Sequence, residues 1–506
     1  MRQLTCAAAL LAAFALAGCG GGGSDGPTLD TSLTRGSLVA NPPNLVPIPQ
    51  ADGTTSTRLE PAAFAQMLEA ATPGITAVTG TPKCAISTYY MKYGTVGGAG
   101  ESTDATGAIM VPSGSDPACS GAHPVVLYAH GTTVEKSFNM ANLRDNPEAA
   151  LVAAMYAAQG FIVVAPNYAG YDVSSLSYHP YLNAEQQADD MVDSLRAARK
   201  AFPVIGAQDS GKLLITGYSQ GGHVAMATER AMQTTYASEF SVTALAGLSG
   251  PYALSLLTDA SVGGSPNLGA TLFFPLLTTS WQKAYGDVYS TPGDIYESQY
   301  ATGIETLLPG PLTTTQLFAS GKLPQLALFA ADSLPQNAGF ESFFGSGNLV
   351  KTSYRNDYLA DIAAHPCNTD SANPLNCAPA NGFRKAAVKN DLRTYVPNVP
   401  VLLCGGGSDP TVFFQSTTAT QAYFVAHGMP TTALSVLDVD SAASGSTDPF
   451  AVVKAGFAQA KTSTVNAAVA AGQDPTAAVA AAYHGSLVPP FCNAAARAFF
   501  QTVLAS

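Results

Sequence analysis

The chain has 506 residues, of which 47% are apolar and only 11% charged, and its formal net charge is −12. That composition excludes a disordered chain and provides for a large buried core, and the acidic balance with no basic patch excludes nucleic acid as a partner. The length suits two domains, or one large domain carrying an insertion.

The first predicted element is an export signal. Arg2 supplies a short positive start, and Cys6 to Gly18 is almost wholly apolar and small. The run is too short to cross a bilayer. Leu16-Ala17-Gly18-Cys19 resembles a bacterial lipobox. The resemblance implies cleavage before Cys19, lipid on its sulfur and, with Gly20 in place of Asp, an outer-membrane lipoprotein on the periplasmic or surface face. If Cys19 is incidental, the protein is simply secreted. Residues 19–55, rich in Gly, Ser, Pro and Thr, read as a flexible tether.

"CAISTYYMKYGTVGGAGESTDATGAIMVPSG" (84–114) is two β-rich runs around a Gly-rich turn and predicts a hairpin. "HPVVLYAHGTT" (123–133) and "GFIVVAPNYAGYD" (160–172) predict short buried strands, with a helical, Gly-stopped stretch between them. "NAEQQADDMVDSLRAARKAF" begins at an Asn cap and spaces Met191, Leu195 and Ala198 for one helix face. "KLLITGYS", the helix after it and "SVTALAGLSGPY" continue the alternation. Short apolar strands alternating with helices predict an α/β fold, mostly a parallel sheet with helices on both faces. The rhythm breaks over 252–395, which is Pro-interrupted and mostly helical, with Pro275 expected to kink one helix. It resumes at "VPVLLCGGGSDPTVFF" (399–414). The core is therefore expected over 56–251 and 396–506, with 252–395 inserted as a cap.

Gly217-Tyr218-Ser219-Gln220-Gly221 fits Gly-x-Ser-x-Gly, a short and weakly specific pattern. Gly22 to Gly26 matches it too, but no strand precedes that copy and no helix follows. The Ser219 copy has strand, turn and helix in order. Glycines permit a tight turn that lifts the hydroxyl above the sheet, next to a helix N-terminus that favours negative charge. A serine needs a base to take its proton, and seven histidines compete. With an elbow serine, the acid and then the histidine follow along the chain. His484, in "AAYHGSL", fits best, and His427 is the alternative. Asp409 follows the "VPVLLCGGG" strand, whose glycines allow a sharp turn at its carboxyl end; Asp438 and Asp440 are the alternatives. Oxyanion donors are expected from the backbone N–H groups of Gln220 and of Thr132, after the "VVLYAHG" strand.

"YAHGTT", "PNYAGYD", "GYSQGG", the late insertion and "YHG" together resemble the α/β-hydrolase superfamily, and within it the secretory lipase family, the group around Candida antarctica lipase A. The resemblance covers roughly residues 60–506. It implies an α/β-hydrolase fold and hydrolysis of carboxylic esters, lipase or esterase, through an acyl-enzyme on Ser219, Asp409 and His484, with no cofactor. The alternatives are a serine peptidase on the same fold and a surface binding lipoprotein without catalysis.

Apart from Cys6 and Cys19, six cysteines remain: Cys84, Cys119, Cys367, Cys377, Cys404 and Cys492. An even number in an exported chain suggests disulfides, and the spacings do not suit zinc, so no metal is expected. Pairing in sequence order would close the hairpin, close a short loop in the insertion, and join the acid and histidine loops. Six cysteines allow fifteen connectivities, and a free buried thiol at Cys404 stays open.

Overall fold

The computed structural model describes residues 28–29, 34–49, 54–445 and 447–506. The expected signal, lipobox and Cys19 lie outside these residues. Nine strands form one open sheet: β1 (Asn44–Leu45), β2 (Ala85–Val96), β3 (Ser102–Ser113), β4 (His123–Ala129), β5 (Ile162–Pro166), β6 (Asp209–Tyr218), β7 (Val242–Leu248), β8 (Val401–Gly405) and β9 (Leu434–Asp438). Their spatial order is β9-β8-β7-β6-β4-β5-β3-β2-β1. From β5 to β9 every pairing is parallel, while β1 to β3 pair antiparallel and β3 meets β5 antiparallel. The mostly parallel α/β architecture expected from the strand–helix alternation is therefore the one observed.

The continuous apolar run of β4 has a simple cause: both faces of the sheet are covered. Val125 and Leu127 face one cluster, with Met191 and Leu195 of a long helix (Ala184–Ile205). Val126 and Tyr128 face the other, with Val152, Phe491 and Cys492. That long helix starts where Asn183 accepts from the Gln186 N–H, as its sequence suggested. Between β7 and β8 the chain leaves the sheet. Residues there form helices such as Leu254–Val262, Ala270–Tyr285 and Thr352–Ala364, around a separate apolar cluster that includes Phe274, Trp281 and Phe383. The helix Ala270–Tyr285 runs through Pro275 without interruption, so that proline does not end it.

Residues 34–49 correct the tether expected over 19–55, because they lie on the body. Leu38 is buried, Arg35 pairs with Asp193 at 2.8 Å, and Asn44 and Leu45 pair with Tyr90 and Tyr89 as β1. Contacts of one or two residues at a time leave no periodic trace in composition, which explains the reading as a linker. All three disulfides follow sequence order: Cys84–Cys119, Cys367–Cys377 and Cys404–Cys492.

Candidate active site

Functional groups gather at the carboxyl ends of the parallel strands, where sites in such sheets lie. β6 ends at Tyr218, and a helix (Gln220–Gln233) starts immediately after Ser219. Ser219 is the hinge, with φ 59° and ψ −121°. A non-glycine residue there is strained by roughly 1–3 kcal/mol. Its N–H donates to the Leu248 carbonyl at 2.8 Å, and its own carbonyl accepts from Gly222. The flanking glycines answer to crowding. A Cβ at Gly217 would sit 2.3 Å from the Gly221 carbonyl oxygen, and one at Gly221 would sit 1.9 Å from that of Ala129. No side chain fits either place.

His484 lies in a π-helical turn (Tyr483–Leu487) leading into the terminal helix Val488–Ala505, and such turns recur at functional sites. Its Nε2 is 2.8 Å from Ser219 Oγ and its Nδ1 is 2.6 Å from Asp409 Oδ2. Asp409 is buried, and its Oδ1 accepts from the N–H groups of Thr411 (2.9 Å) and Val412 (3.1 Å). A carboxylate accepts at Nδ1, so that nitrogen carries the proton and the Nε2 lone pair faces the serine hydroxyl. The Tyr218 hydroxyl donates to the His484 carbonyl at 2.5 Å. The structure thus brings together Ser219, His484 and Asp409.

The alternatives lie elsewhere. His427 contacts Tyr423 of its own helix. Asp438 accepts from the Gly407 and Asp440 N–H groups, and Asp440 pairs with Lys461. The run Gly405-Gly406-Gly407 leads into the expected turn, closed where the Asp409 N–H donates to the Gly406 carbonyl at 3.1 Å, although none of the three has positive φ. A Cβ at Gly406 would lie 2.5 Å from the Tyr483 ring, and one at Gly407 would lie 2.4 Å from Asp438 Oδ2. Close approach is the reason for the glycines.

Thr132 and Gln220 both line space beside Ser219, and among the described residues neither backbone N–H has a hydrogen-bond partner. Two supporting groups escaped the sequence. The Gln220 side-chain amide donates to His179 Nε2 at 2.7 Å. Burial pulls His179 down to about 3, so the ring stays neutral and can accept while its Nδ1 donates to the Ala169 carbonyl at 2.9 Å. Glu148 accepts from the Gly131 N–H and the Tyr128 hydroxyl, both at 2.9 Å, and so fixes the turn before Thr132. Burial pushes Glu148 up to about 7. "SYHP" and "NPEAAL" carry no local signal for either task.

Two cavities meet at Ser219. One of about 550 Å³ is lined by Thr132, Glu148, Tyr218, Leu272, Phe273 and His484. A narrower one of about 80 Å³ is mostly apolar, with Leu254, Val262, Phe274, Phe383 and Val412 in its wall. Phe273, like Ser219, lines both. Among the described residues no group of three or more His, Cys, Asp or Glu could hold a metal ion, and no helix is long and apolar enough to cross a membrane.

Sheet order and the strand-end site define the class: this is an α/β-hydrolase. Residues 140–259 match the family model described as secretory lipase. It is similar to the rice cell wall degrading esterase LipA from Xanthomonas oryzae, at 25% identity over 92% of this chain and 98% of that one, with a TM-score of 0.67. A protein from Legionella pneumophila shares the fold at 20% identity, over 79% of this chain and 91% of that one, with a TM-score of 0.61. Candida antarctica lipase A aligns at 13% identity, over 81% of this chain and 78% of that one, with a TM-score of 0.46. No curated protein sequence matches. The chain is a carboxylic ester hydrolase of the lipase and esterase kind.

Proposed function

We propose that this hydrolase works through an acyl-enzyme on Ser219, with His484 as its general base and Asp409 orienting the histidine. The observation that carries the reading is the unbroken chain from Ser219 Oγ through His484 to Asp409, at 2.8 and 2.6 Å. His484 Nε2 takes the hydroxyl proton as Oγ attacks the ester carbonyl. The Thr132 and Gln220 N–H groups hold the oxyanion, each contributing roughly 3 kcal/mol to lowering the barrier. Asp409 stabilises the imidazolium. His484 then gives its proton to the departing alkoxide. Water repeats the sequence on the acyl-enzyme and releases the acid.

Since the alcohol must leave on the side of His484, the larger cavity receives it and the narrow apolar one receives the acyl group. Residues 252–395 act as a cap supplying much of that acyl wall. Leu272, Phe273 and Phe274 reach a cavity, whereas Trp281 is fully buried in the cap's own core. Lipid on Cys19 would hold the enzyme at the outer membrane. The cell-wall substrate of the Xanthomonas esterase supports action outside the cytoplasm. Replacing Cys19 with Ala should release the enzyme from the membrane fraction.

Ser219→Ala tests the chemistry. Turnover of p-nitrophenyl butyrate should fall by about 10⁴-fold or more, and labelling by a fluorophosphonate should vanish, with the fold intact. Asp409→Asn should be nearly as harmful. Activity of Ser219→Ala within tenfold of the parent overturns the reading.

A further inference from the structure

Asp409 and His484 belong to segments 75 residues apart, and neither lies within a strand. The distance between them is therefore set by side chains. One hydrogen bond of 2.6 Å joins the two directly. A second connection runs beside it, one residue earlier on each segment. Tyr483 precedes His484, and its hydroxyl accepts from the N–H of Ser408, which precedes Asp409, at 3.2 Å. The same hydroxyl donates to Asp440 Oδ2 at 2.8 Å. Lys461 Nζ then holds both oxygens of Asp440 at 2.9 Å. Tyr483 is buried, edge-on to Phe457 at 5.6 Å between ring centroids.

We propose that Tyr483 is a positioning residue: its hydroxyl fixes the Asp409 loop against the His484 turn, and Asp440, braced by Lys461, holds that hydroxyl in place. The inference rests on the reading of Ser219, His484 and Asp409 given above. Three facts support it. The phenol touches both segments at the residues adjoining the acid and the base. Gly406 leaves room for its ring, since a Cβ there would lie 2.6 Å from the hydroxyl oxygen. Burial and the Asp440 carboxylate hold its ionisation well above the ordinary tyrosine range, so it remains a donor to Asp440 at any working pH. A misplacement on the order of 1 Å near a reacting pair can cost about 100-fold in rate. Losing this one connection, with the direct bond intact, should cost roughly tenfold.

Tyr483→Phe keeps the ring and removes both hydrogen bonds. The measurement is p-nitrophenyl butyrate hydrolysis on enzyme whose active sites are titrated with a fluorophosphonate. The expected result is kcat per titrated site down about tenfold, with KM within twofold of the parent. Asp440→Ala should match it, while Asp440→Asn, which keeps an acceptor oxygen, should be at least threefold more active than Asp440→Ala. A kcat per titrated site within twofold of the parent for Tyr483→Phe overturns the proposal. So does a loss confined to the number of titratable sites, which is what a purely structural role would give. If Tyr483→Phe does not fold, the Asp440 pair decides: equal activity of the two variants overturns the proposal. Ser219→Ala separates the two readings, because residual turnover there sinks the triad, whereas an inert Ser219→Ala beside a parent-like Tyr483→Phe sinks only this inference.

Discussion

Gly221→Ala would place one methyl group where the proposed oxyanion donors are set. The added Cβ would lie 1.9 Å from the Ala129 carbonyl oxygen, 2.6 Å from its carbon and 2.8 Å from the His130 carbonyl oxygen. All three are backbone atoms, so no side chain can swing away. Ordinary contact begins at 3.4 Å, so the helix start and the end of β4 must part by about 1.5 Å, taking ordinary packing contact as the limit. Gln220 lies on one side of that wedge and Gly131-Thr132 on the other. Separating the two donors weakens both on the oxyanion, and losing one outright costs about 100- to 1,000-fold. Overpacking itself should cost roughly 1–3 kcal/mol of stability. The expected outcome is kcat per titrated site down about 100-fold in a folded enzyme with a modestly lower Tm. Gly485→Ala is the control: it adjoins His484, yet a Cβ there meets nothing within 4 Å, so it should stay within about threefold of the parent, there being no clash to relieve. Gly221→Ala within fivefold of the parent, or equal losses in both variants, would refute the reasoning.

Phe273→Ala should shift preference from short toward longer p-nitrophenyl esters at nearly unchanged Tm, because Phe273 lines both cavities and is only half-buried. Trp281→Ala, fully buried, should instead lose roughly 3–5 kcal/mol of stability with preference unchanged. Glu229 is buried and pushed up to about 7 by that burial; the unfolded chain releases this proton first, so stability should fall as pH rises from about 4.5 to about 7, by up to about 3 kcal/mol. Glu229→Gln should therefore raise Tm at pH 8 and change it little at pH 4, and an equal change at both would contradict the assignment. Replacing Cys404 and Cys492 with Ala opens a loop of 88 residues against 10 for Cys367–Cys377. Loop-closure entropy puts these at about 4.6 and 2.7 kcal/mol. Stability and turnover should both fall further for the first pair, as melting and active-site-titrated kinetics would show.

What the sequence revealed was local. Strand, turn and helix around Ser219 are consecutive, and the order of serine, acid and histidine along the chain reduces seven histidines to His484 and one rival. The sheet was legible because strands buried on both faces, such as "VVLYA", read as continuous apolar runs. Partners distant in the chain were not legible. Gln220 meets His179 across 41 residues, Gly131 meets Glu148 across 17, and Tyr483 meets Asp440 across 43. Each is an ordinary polar residue until its neighbour is known. The glycine run before Asp409 was half legible for the same reason: composition suggested the turn, but only the facing Tyr483 ring and Asp438 carboxylate say why a Cβ is excluded.

Backbone hydrogen bonds fix Ser219 through β6 and the Leu248 carbonyl, so the proposed nucleophile is held by the sheet itself. His484 has no backbone bond to the sheet, because it sits between two helices and outside every strand; the Tyr218 hydroxyl, at the end of β6, holds its carbonyl at 2.5 Å. Its placement therefore also depends on what ties the terminal helix to β8. The Cys404–Cys492 bridge does this at one level, buried at both ends. Tyr483 does it nearer the site, and the Asp409 bond does it at the site. The helix Ala451–Ala470 between β9 and His484 is itself one of these ties, since its buried Phe457 packs edge-on to Tyr483 and its Lys461 holds Asp440.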